Sequence, residues 1–209
     1  MQNDPVYIIG AGGHAKVIIS ALLANAVSCA GVFDDDSSLW GNKILGIPIL
    51  GAVEELRDTS CTIAVNAIGN NSTRRAICER FKNVNWLTVI HSHTWIHSSV
   101  KIGCGTVVFA GSVIQPDTII GKHSIINTSA SVDHDCIIGD FCHIAPGCHI
   151  AGGVQIGNEV FLGIGSVVIP CLSIVSNTVI GAGATVIESI DDAGVYVGTP
   201  ARKIRDIFL

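Results

Sequence analysis

The most regular feature of the chain is a hydrophobic pattern with a period of six. From Ile96 to Val186 every sixth residue is aliphatic: Ile96, Ile102, Val108, Ile114, Ile120, Ile126, Val132, Ile138, Ile144, Ile150, Ile156, Leu162, Val168, Ile174, Ile180 and Val186. Four places after each stands a small or slim residue, such as Thr106, Ser112, Ala130, Cys136 or Ser166, with Leu172 as the large exception. No insertion breaks the count. This period matches neither a helix of 3.6 residues per turn nor simple strand alternation. It fits a solenoid in which each hexapeptide supplies one short strand and one corner. The aliphatic then points to the axis, and the slim residue fits the crowded corner. Gly103, Gly121, Gly139 and Gly157 recur every eighteen residues, or three hexapeptides, which predicts a triangular coil.

The pattern ahead of Ile96 is different. Val6-Tyr7-Ile8-Ile9 is a short apolar run ending in Gly10-Ala11-Gly12-Gly13, and helical spacing follows over residues 14–23. This reads as strand, glycine turn, helix. A second strand over residues 29–33 ends in Asp34-Asp35-Asp36. Residues 43–49 read as an extended, proline-limited edge segment. A short helix is expected over 53–56, a third strand over 62–67 and a helix over 72–81. Residues 1–85 thus predict an α/β half-Rossmann domain, residues 86–187 a parallel β-helix of hexapeptide repeats, and residues 188–209 a C-terminal cap and tail. Solenoid ends need such caps.

Gly10, Gly12 and Ala15 satisfy the G-x-G-x-x-A pattern, in which glycines admit a phosphate to a helix N-terminus. The same residues also suit a plain tight turn. The acids after the second strand suit ribose or base hydrogen bonds, or a solvated turn. A complete dinucleotide domain needs two such halves. The chain has no length for the second, which favours a mononucleotide-type ligand.

Composition narrows the classes. Of 209 residues 48% are hydrophobic and only 14% charged, as coil-on-coil stacking would allow, and the low charge suggests surface covered by other subunits. A net charge of −5 argues against general nucleic-acid binding. No eighteen consecutive residues are apolar, so no membrane span is expected. Met1-Gln2-Asn3-Asp4 begins no charged-then-apolar leader. The eight cysteines do not resemble a disulfide scaffold. Cys136, Cys142 and Cys148 fall on the slim inward position and read as small hydrophobes. The expectation is a cytoplasmic protein with reduced thiols.

Titratable groups concentrate between Asn127 and Gly147. By register His134 and His143 both face outward. Asp133 and Asp135 flank His134, and a carboxylate beside an imidazole fixes its tautomer and stabilises the imidazolium. An ordinary surface histidine is the competing reading for each. His91, His93 and His97 form a second group, read as surface positions on the first coils, so no metal is expected. Arg202, Lys203 and Arg205 cluster in the tail, as a phosphate contact or as solvated residues.

The hexapeptide pattern resembles the left-handed β-helix of the hexapeptide-repeat acyltransferases, and the left hand comes from that resemblance. Asn127-Thr128-Ser129, the run from His134 to Phe141, His143, and Gly198-Thr199-Pro200-Ala201-Arg202 resemble the bacterial N-acetyltransferases of UDP-4-amino sugars, of the bacillosamine type, which belong with the sialic-acid O-acetyltransferase-like family. The glycine turn with His14 and Lys16, Phe33-Asp34-Asp35 and Ala67-Ile68-Gly69-Asn70-Asn71 resemble the same family. The resemblance implies a homotrimer that uses acetyl-CoA and a UDP-amino sugar. It implies that His134 is the general base, oriented by Asp135, where relatives often carry Glu. It also implies that His143, Gly152, Ile164, Ala182 and Arg202 meet CoA. Gly12, Gly13, His14, Lys16, Asp34, Asp35, Gly69 and Asn127 would hold the nucleotide sugar. O-acetylation of a sialic acid or related glycan precursor, and a non-catalytic sugar-nucleotide sensor, are the alternatives.

Overall fold

The computed structural model of the protein describes residues 5–206. The leader expectation on residues 1–4 and the last three residues of the predicted tail lie outside the described residues. The chain divides into two compact units between Ser92 and His93.

In the first unit, β1 (Val6–Ile9), α1 (Gly13–Ala24), β2 (Cys29–Phe33), β3 (Lys43–Ile44), β4 (Ile47–Gly51), β5 (Ile63–Asn66), α2 (Asn71–Arg80) and β6 (Asn85–Trp86) follow in order. The sheet order is β3-β4-β2-β1-β5-β6. β1 pairs in parallel with β2 on one side and β5 on the other. Ala15, Ile18, Ile19 and Leu22 form the buried stripe of α1, at the spacing of one helix face. The chain builds one side of β1 and then the other, so the carboxyl end of β1 is a topological switch point. Ligands of open α/β sheets bind at such points. The expected edge segment is a hairpin: β3 is the edge, and Pro48 lies on β4, one strand in. A proline is tolerated there because β4 meets β2 only through Ile49 and Gly51.

The second unit is a left-handed parallel β-helix. Sixteen two-residue strands run from Trp95–Ile96 to Thr185–Val186, one per hexapeptide. They form three faces. Face one holds Ser131–Val132 and His149–Ile150, face two Ile137–Ile138 and Gln155–Ile156, and face three Ile125–Ile126 and His143–Ile144. Each strand from Trp95–Ile96 to Val167–Val168 pairs in parallel with the one eighteen residues on, as Ser131 with His149 and Ile137 with Gln155. From Val108 onward the inward aliphatics are buried in one continuous core. The strands Val195–Val197 and Arg202–Arg205 close face three as an antiparallel cap.

Two features explain why the corners tolerate no insertion. The eighteen-residue glycines leave no room for a side chain: a Cβ on Gly139 would lie 2.7 Å from the Gly157 carbonyl carbon and 2.8 Å from Asn158 N. The slim positions also carry donors. Thr106, Ser112, Thr118 and Ser124 donate to the carbonyls of Gly121, Asn127, Asp133 and Gly139, always fifteen residues on, at 2.7–2.9 Å. Cys136, Cys142 and Cys148 do the same with their thiols toward Ala151, Gly157 and Gly163. These cysteines are therefore more than small hydrophobes, because each satisfies a carbonyl that the coil leaves open. Burial raises the Cys136 and Cys148 thiols above their ordinary range, which keeps them protonated as donors.

From Gly105 to Gly183 each corner places one residue at positive φ. Glycine serves at Gly147 and Gly153, but Ser129, Asp135, Phe141 and Glu159 adopt the same region. Non-glycine residues are uncommon there. Because the strain recurs at every corner, it says nothing special about Asp135.

Thr118→Val tests the donor ladder. It keeps the shape but strands the Asp133 carbonyl and the Cys136 N–H, both now bound by Thr118 Oγ1. Urea unfolding is expected to show a loss of about 1–3 kcal/mol.

Candidate active site

Seven predicted ligand-binding residues gather at the switch point of the first unit. Gly10 has φ +97°, and a Cβ there would press on the Ala67 carbonyl and Ile68, so the turn lies against the loop after β5. Gly12 caps α1 with no side-chain hydrogen bond, and no acid stands in the first helical turn. A Cβ at Gly12 or Gly13 would meet nothing within 4 Å. The turn thus offers a helix N-terminus with open space before it, the arrangement that accepts a phosphate. Half-buried His14 and exposed Lys16 sit on the same turn. Asp34 braces the cradle: Oδ2 accepts from Ala11 N–H at 2.6 Å and Oδ1 from Asp36 N–H at 2.8 Å. Asp35 accepts from Val53 N–H at 2.9 Å. The Gly69 carbonyl accepts from Arg74, a buried guanidinium that also holds the Ile68 carbonyl and Asn71.

On the solenoid, His134 stands at the corner between faces one and two. Its Nδ1 lies 2.7 Å from Asp135 Oδ2, with 60% and 66% of the two side chains exposed, so the pair is open to a substrate. The carboxylate holds the ring proton on Nδ1 and leaves Nε2 as the basic atom. The bond to Asp135, and next the charge of Asp133, raise the proton affinity of the ring above that of an ordinary histidine. Gly152 is the residue one coil above. A Cβ there would come within 2.7 Å of His134 Cε1 and Nε2. The imidazole occupies the space where any other residue would place a side chain.

The sequence reading missed a consequence of the corner geometry. The N–H at this corner position points along the axis and finds no carbonyl in the next coil. Side chains satisfy it at some corners: Asp140 takes it from Lys122, Asn158 from Asp140, and Asp133 from His134, whereas the N–H groups of Ile164 and Ala182 make no hydrogen bond among the described residues. In the column of His134, Pro116 and Pro170 have no N–H, and that of Gly152 makes no hydrogen bond among the described residues. A free donor beside the basic nitrogen can receive the oxygen of a polarised carbonyl. The signal was present in the sequence, because Gly152 is His134 plus eighteen.

Family models and solved structures match both units of the chain. The PglD N-terminal domain family matches residues 5–81, and the bacterial transferase hexapeptide (six repeats) family matches residues 117–152 and 135–168. A histidine-to-asparagine mutant of perosamine N-acetyltransferase from Caulobacter crescentus, solved with CoA and GDP-perosamine, is 36% identical, with 97% of each chain covered and a TM-score of 0.91. The acetyltransferase domain of PglB from Neisseria gonorrhoeae, solved with acetyl coenzyme A, is 32% identical over 97% of this chain and 100% of that one, with a TM-score of 0.90. The chain belongs to the hexapeptide-repeat N-acetyltransferases of amino sugars. An uncharacterized protein of Acanthamoeba polyphaga mimivirus is 40% identical over 91 residues, which are 44% of this chain. That match spans 18% of the viral protein.

The other predicted site residues of this N-acetyltransferase do not converge within one chain. His143 lies on face three, on the far side of the prism from His134. Their separation of nine residues is half a coil, a signal also readable from the sequence. Asn127, one coil below and beside His143, lies on the solenoid and not in the first unit. Its Oδ1 accepts from Thr128 N–H, so its amide donates to His143 Nε2 at 3.1 Å, and that ring carries its proton on Nδ1. Ile164, 58% exposed, and Ala182 stack at the corner between faces three and one, whereas Gly152 is at the next corner. Phe109, at an outward register position, is buried, and Phe161 is partly covered, its ring edge-on to His143. Bare apolar surface lies instead on face two, at Ile119 and Ile137. In the cap Lys203 is held by Asp192 and Asp206 at 2.6 and 2.7 Å, so it is not free for a phosphate. Arg202 is exposed near Glu188, at 4.0 Å. Among the described residues no three His, Cys, Asp or Glu side chains cluster as metal ligands.

Gly152→Ala separates site from scaffold. The group displaced is the end of an exposed side chain, so thermal stability should change little. Turnover should fall about 100-fold because the base is moved by an ångström or more. Equal losses of stability and rate would make Gly152 a scaffold residue.

Proposed function

We propose that this protein transfers the acetyl group of acetyl-CoA to the amine of a nucleotide-linked 4-amino-deoxysugar, with UDP as the expected nucleotide. The observation that carries the reading is the exposed His134–Asp135 pair beside the unengaged Gly152 N–H. The sugar amine is unreactive as its ammonium form. His134 Nε2 takes a proton, the freed amine attacks the thioester carbon, and the Gly152 N–H faces the oxygen where negative charge develops. Such base catalysis is typically worth about 10²–10⁴-fold. A histidine paired this way on the outside of a solenoid serves no folding role, which weighs against a non-catalytic sensor.

The phosphates of the sugar nucleotide sit at the N-terminus of α1, near Gly12 and Gly13, with His14 and Lys16 at hand. Asp34 and Asp35 hold the turn in shape and keep lone pairs for the ribose. CoA lies against the solenoid along Gly152, Ile164 and Ala182, and Arg202 meets its charged end. Residues 1–85, 86–187 and 188–209 act as the sugar-nucleotide, acetyl-transfer and capping segments.

The working form is a homotrimer. The placement of His134 and His143 on opposite sides of one prism supports it, since a site that uses both draws them from two copies. The bare isoleucines of face two support it further. The reaction belongs to the cytoplasm, where the eight free cysteines stay reduced.

A thiol-release assay with acetyl-CoA and UDP- or GDP-linked amino sugars tests the reading, with hydroxyl sugars as the O-acetylation control. GDP is included because the Caulobacter relative was solved with GDP-perosamine. Release with no amino sugar of either kind ends the proposal. His134→Ala should lower kcat by about 10²–10⁴-fold and leave both KM values nearly unchanged. Because Asp135 raises the proton affinity of the base, the acid limb of kcat/KM should lie above an ordinary histidine pKa of about 6.5. Activity is lost as pH falls through that raised value, and Asp135→Asn moves the limb to lower pH.

Gly12→Val probes the phosphate cradle. The free chain has room for the side chain, so folding should survive. KM for the sugar nucleotide should rise at least about tenfold, with KM for acetyl-CoA unchanged. A matching rise in both would place Gly12 outside the nucleotide site.

A further inference from the structure

Asp133 is the last residue before the base, and its environment differs from that of Asp135. Its Oδ1 accepts the His134 N–H at 2.8 Å, the axial N–H that the coil leaves open. A neutral side chain is enough for that bond, because at the preceding corner Asn127 Oδ1 accepts the Thr128 N–H at the same 2.8 Å. The charge on Asp133 therefore needs a separate account. Its second oxygen makes no hydrogen bond among the described residues. Asp133 is half-buried and lines a shallow cavity of about 300 Å³ on face one, with Gln115, Ser131, His149, Ala151 and Val167 around it.

Among the described residues the cavity holds no lysine or arginine. Its one other titratable group is His149, whose Nδ1 lies 2.8 Å from Ser131 Oγ. Among the described residues the corners at, below and above His134 supply the groups that face it. Asp133 and Asp135 stand on its own corner, Pro116 and Asp117 on the coil below, and the uncharged Gly152 and Gly153 on the coil above. Every fixed charge around the base is thus negative, and the one with an oxygen free toward the cavity is Asp133.

We infer that Asp133 is a second positioning carboxylate of this site, which pins the backbone of the base and draws the substrate amine in as its ammonium. The inference rests on the reading of His134 as the general base. The ammonium gives one proton to His134 Nε2, and that proton passes to solvent. The nitrogen forms its bond to the acetyl carbon as the C–S bond breaks. The second proton lost by nitrogen leaves on the CoA sulfur as the thiol. A negative charge next to the base serves both ends of this step: it raises the proton affinity of the imidazole, and it stabilises the ammonium before the proton moves.

The decisive variant is Asp133→Asn in the full chain, which keeps an oxygen for the His134 N–H and removes only the charge. The midpoint of the His134 ring titration, followed by NMR without substrates, should move to lower pH. The acid limb of kcat/KM should move with it. KM for the amino-sugar nucleotide should rise about two- to fivefold, the size of one exposed charge pair, with KM for acetyl-CoA unchanged. Asp133→Glu, which keeps the charge, should hold the titration midpoint near the wild-type value, and it carries the test if the asparagine variant folds poorly. An unchanged midpoint and KM in folded Asp133→Asn overturn the inference while an inactive His134→Ala leaves the base reading standing. Near wild-type turnover by His134→Ala removes the base and, with it, the role of Asp133.

Discussion

Everything in the second unit depends on the registration of one eighteen-residue coil on the next. Each strand is only two residues long, too short to persist alone, and it survives because identical positions stack at about 4.8 Å intervals. The stacking is enforced from three directions: aliphatics on the axis, glycines where backbones nearly touch, and hydroxyls or thiols that close carbonyls fifteen residues away. Only a side chain that is slim and also a donor meets the last demand. Serine, threonine and cysteine meet it between Thr106 and Cys148, whereas Ala130, Val154, Val160 and Ala184 are slim without being donors.

Registration also makes the corner proposed for catalysis. His134 needs room for its ring, and the coil above supplies it by placing Gly152 there. The same glycine leaves an N–H unengaged between His134 and Pro170 in that column. The proposed base, donor and orienting acid are thus three outcomes of one column and its neighbour. The first unit uses a different device, an uncapped helix start at a switch point, with Asp34 fastening the turn from the next strand. The two devices suit the ligands proposed for them: a phosphate group needs several N–H donors around it, and a thioester needs one donor and one base.

Much of this was legible in the sequence. The six-residue aliphatic period gave the inward face at every coil from Val108, and strand, turn and helix positions of the first unit were read to within a residue or two at most boundaries. The outward register of His134 followed from the count alone. What escaped was chemistry invisible to a hydrophobic pattern. Cys136 and Cys142 look apolar by position yet act through their S–H bonds. Asp34 looked like a free acid yet bonds to Ala11 across the sheet edge. Phe109 sits at an outward register position yet is buried, since register gives direction and not coverage. His143 was grouped with His134 because nine residues is close along the chain, although nine is half a coil in space.

The uninterrupted count has a consequence for how such a chain can vary in length. Deleting or adding eighteen residues returns every later side chain to its own face, one storey lower or higher. Adding six turns everything beyond the insertion by a third of a revolution. If six residues entered between His134 and Gly152, a residue from the corner between faces three and one would arrive above the imidazole, and the glycine would move to face a different side. Length change in this part of the molecule is therefore counted in whole storeys, and drift by single residues, the ordinary currency of loops, is closed to it.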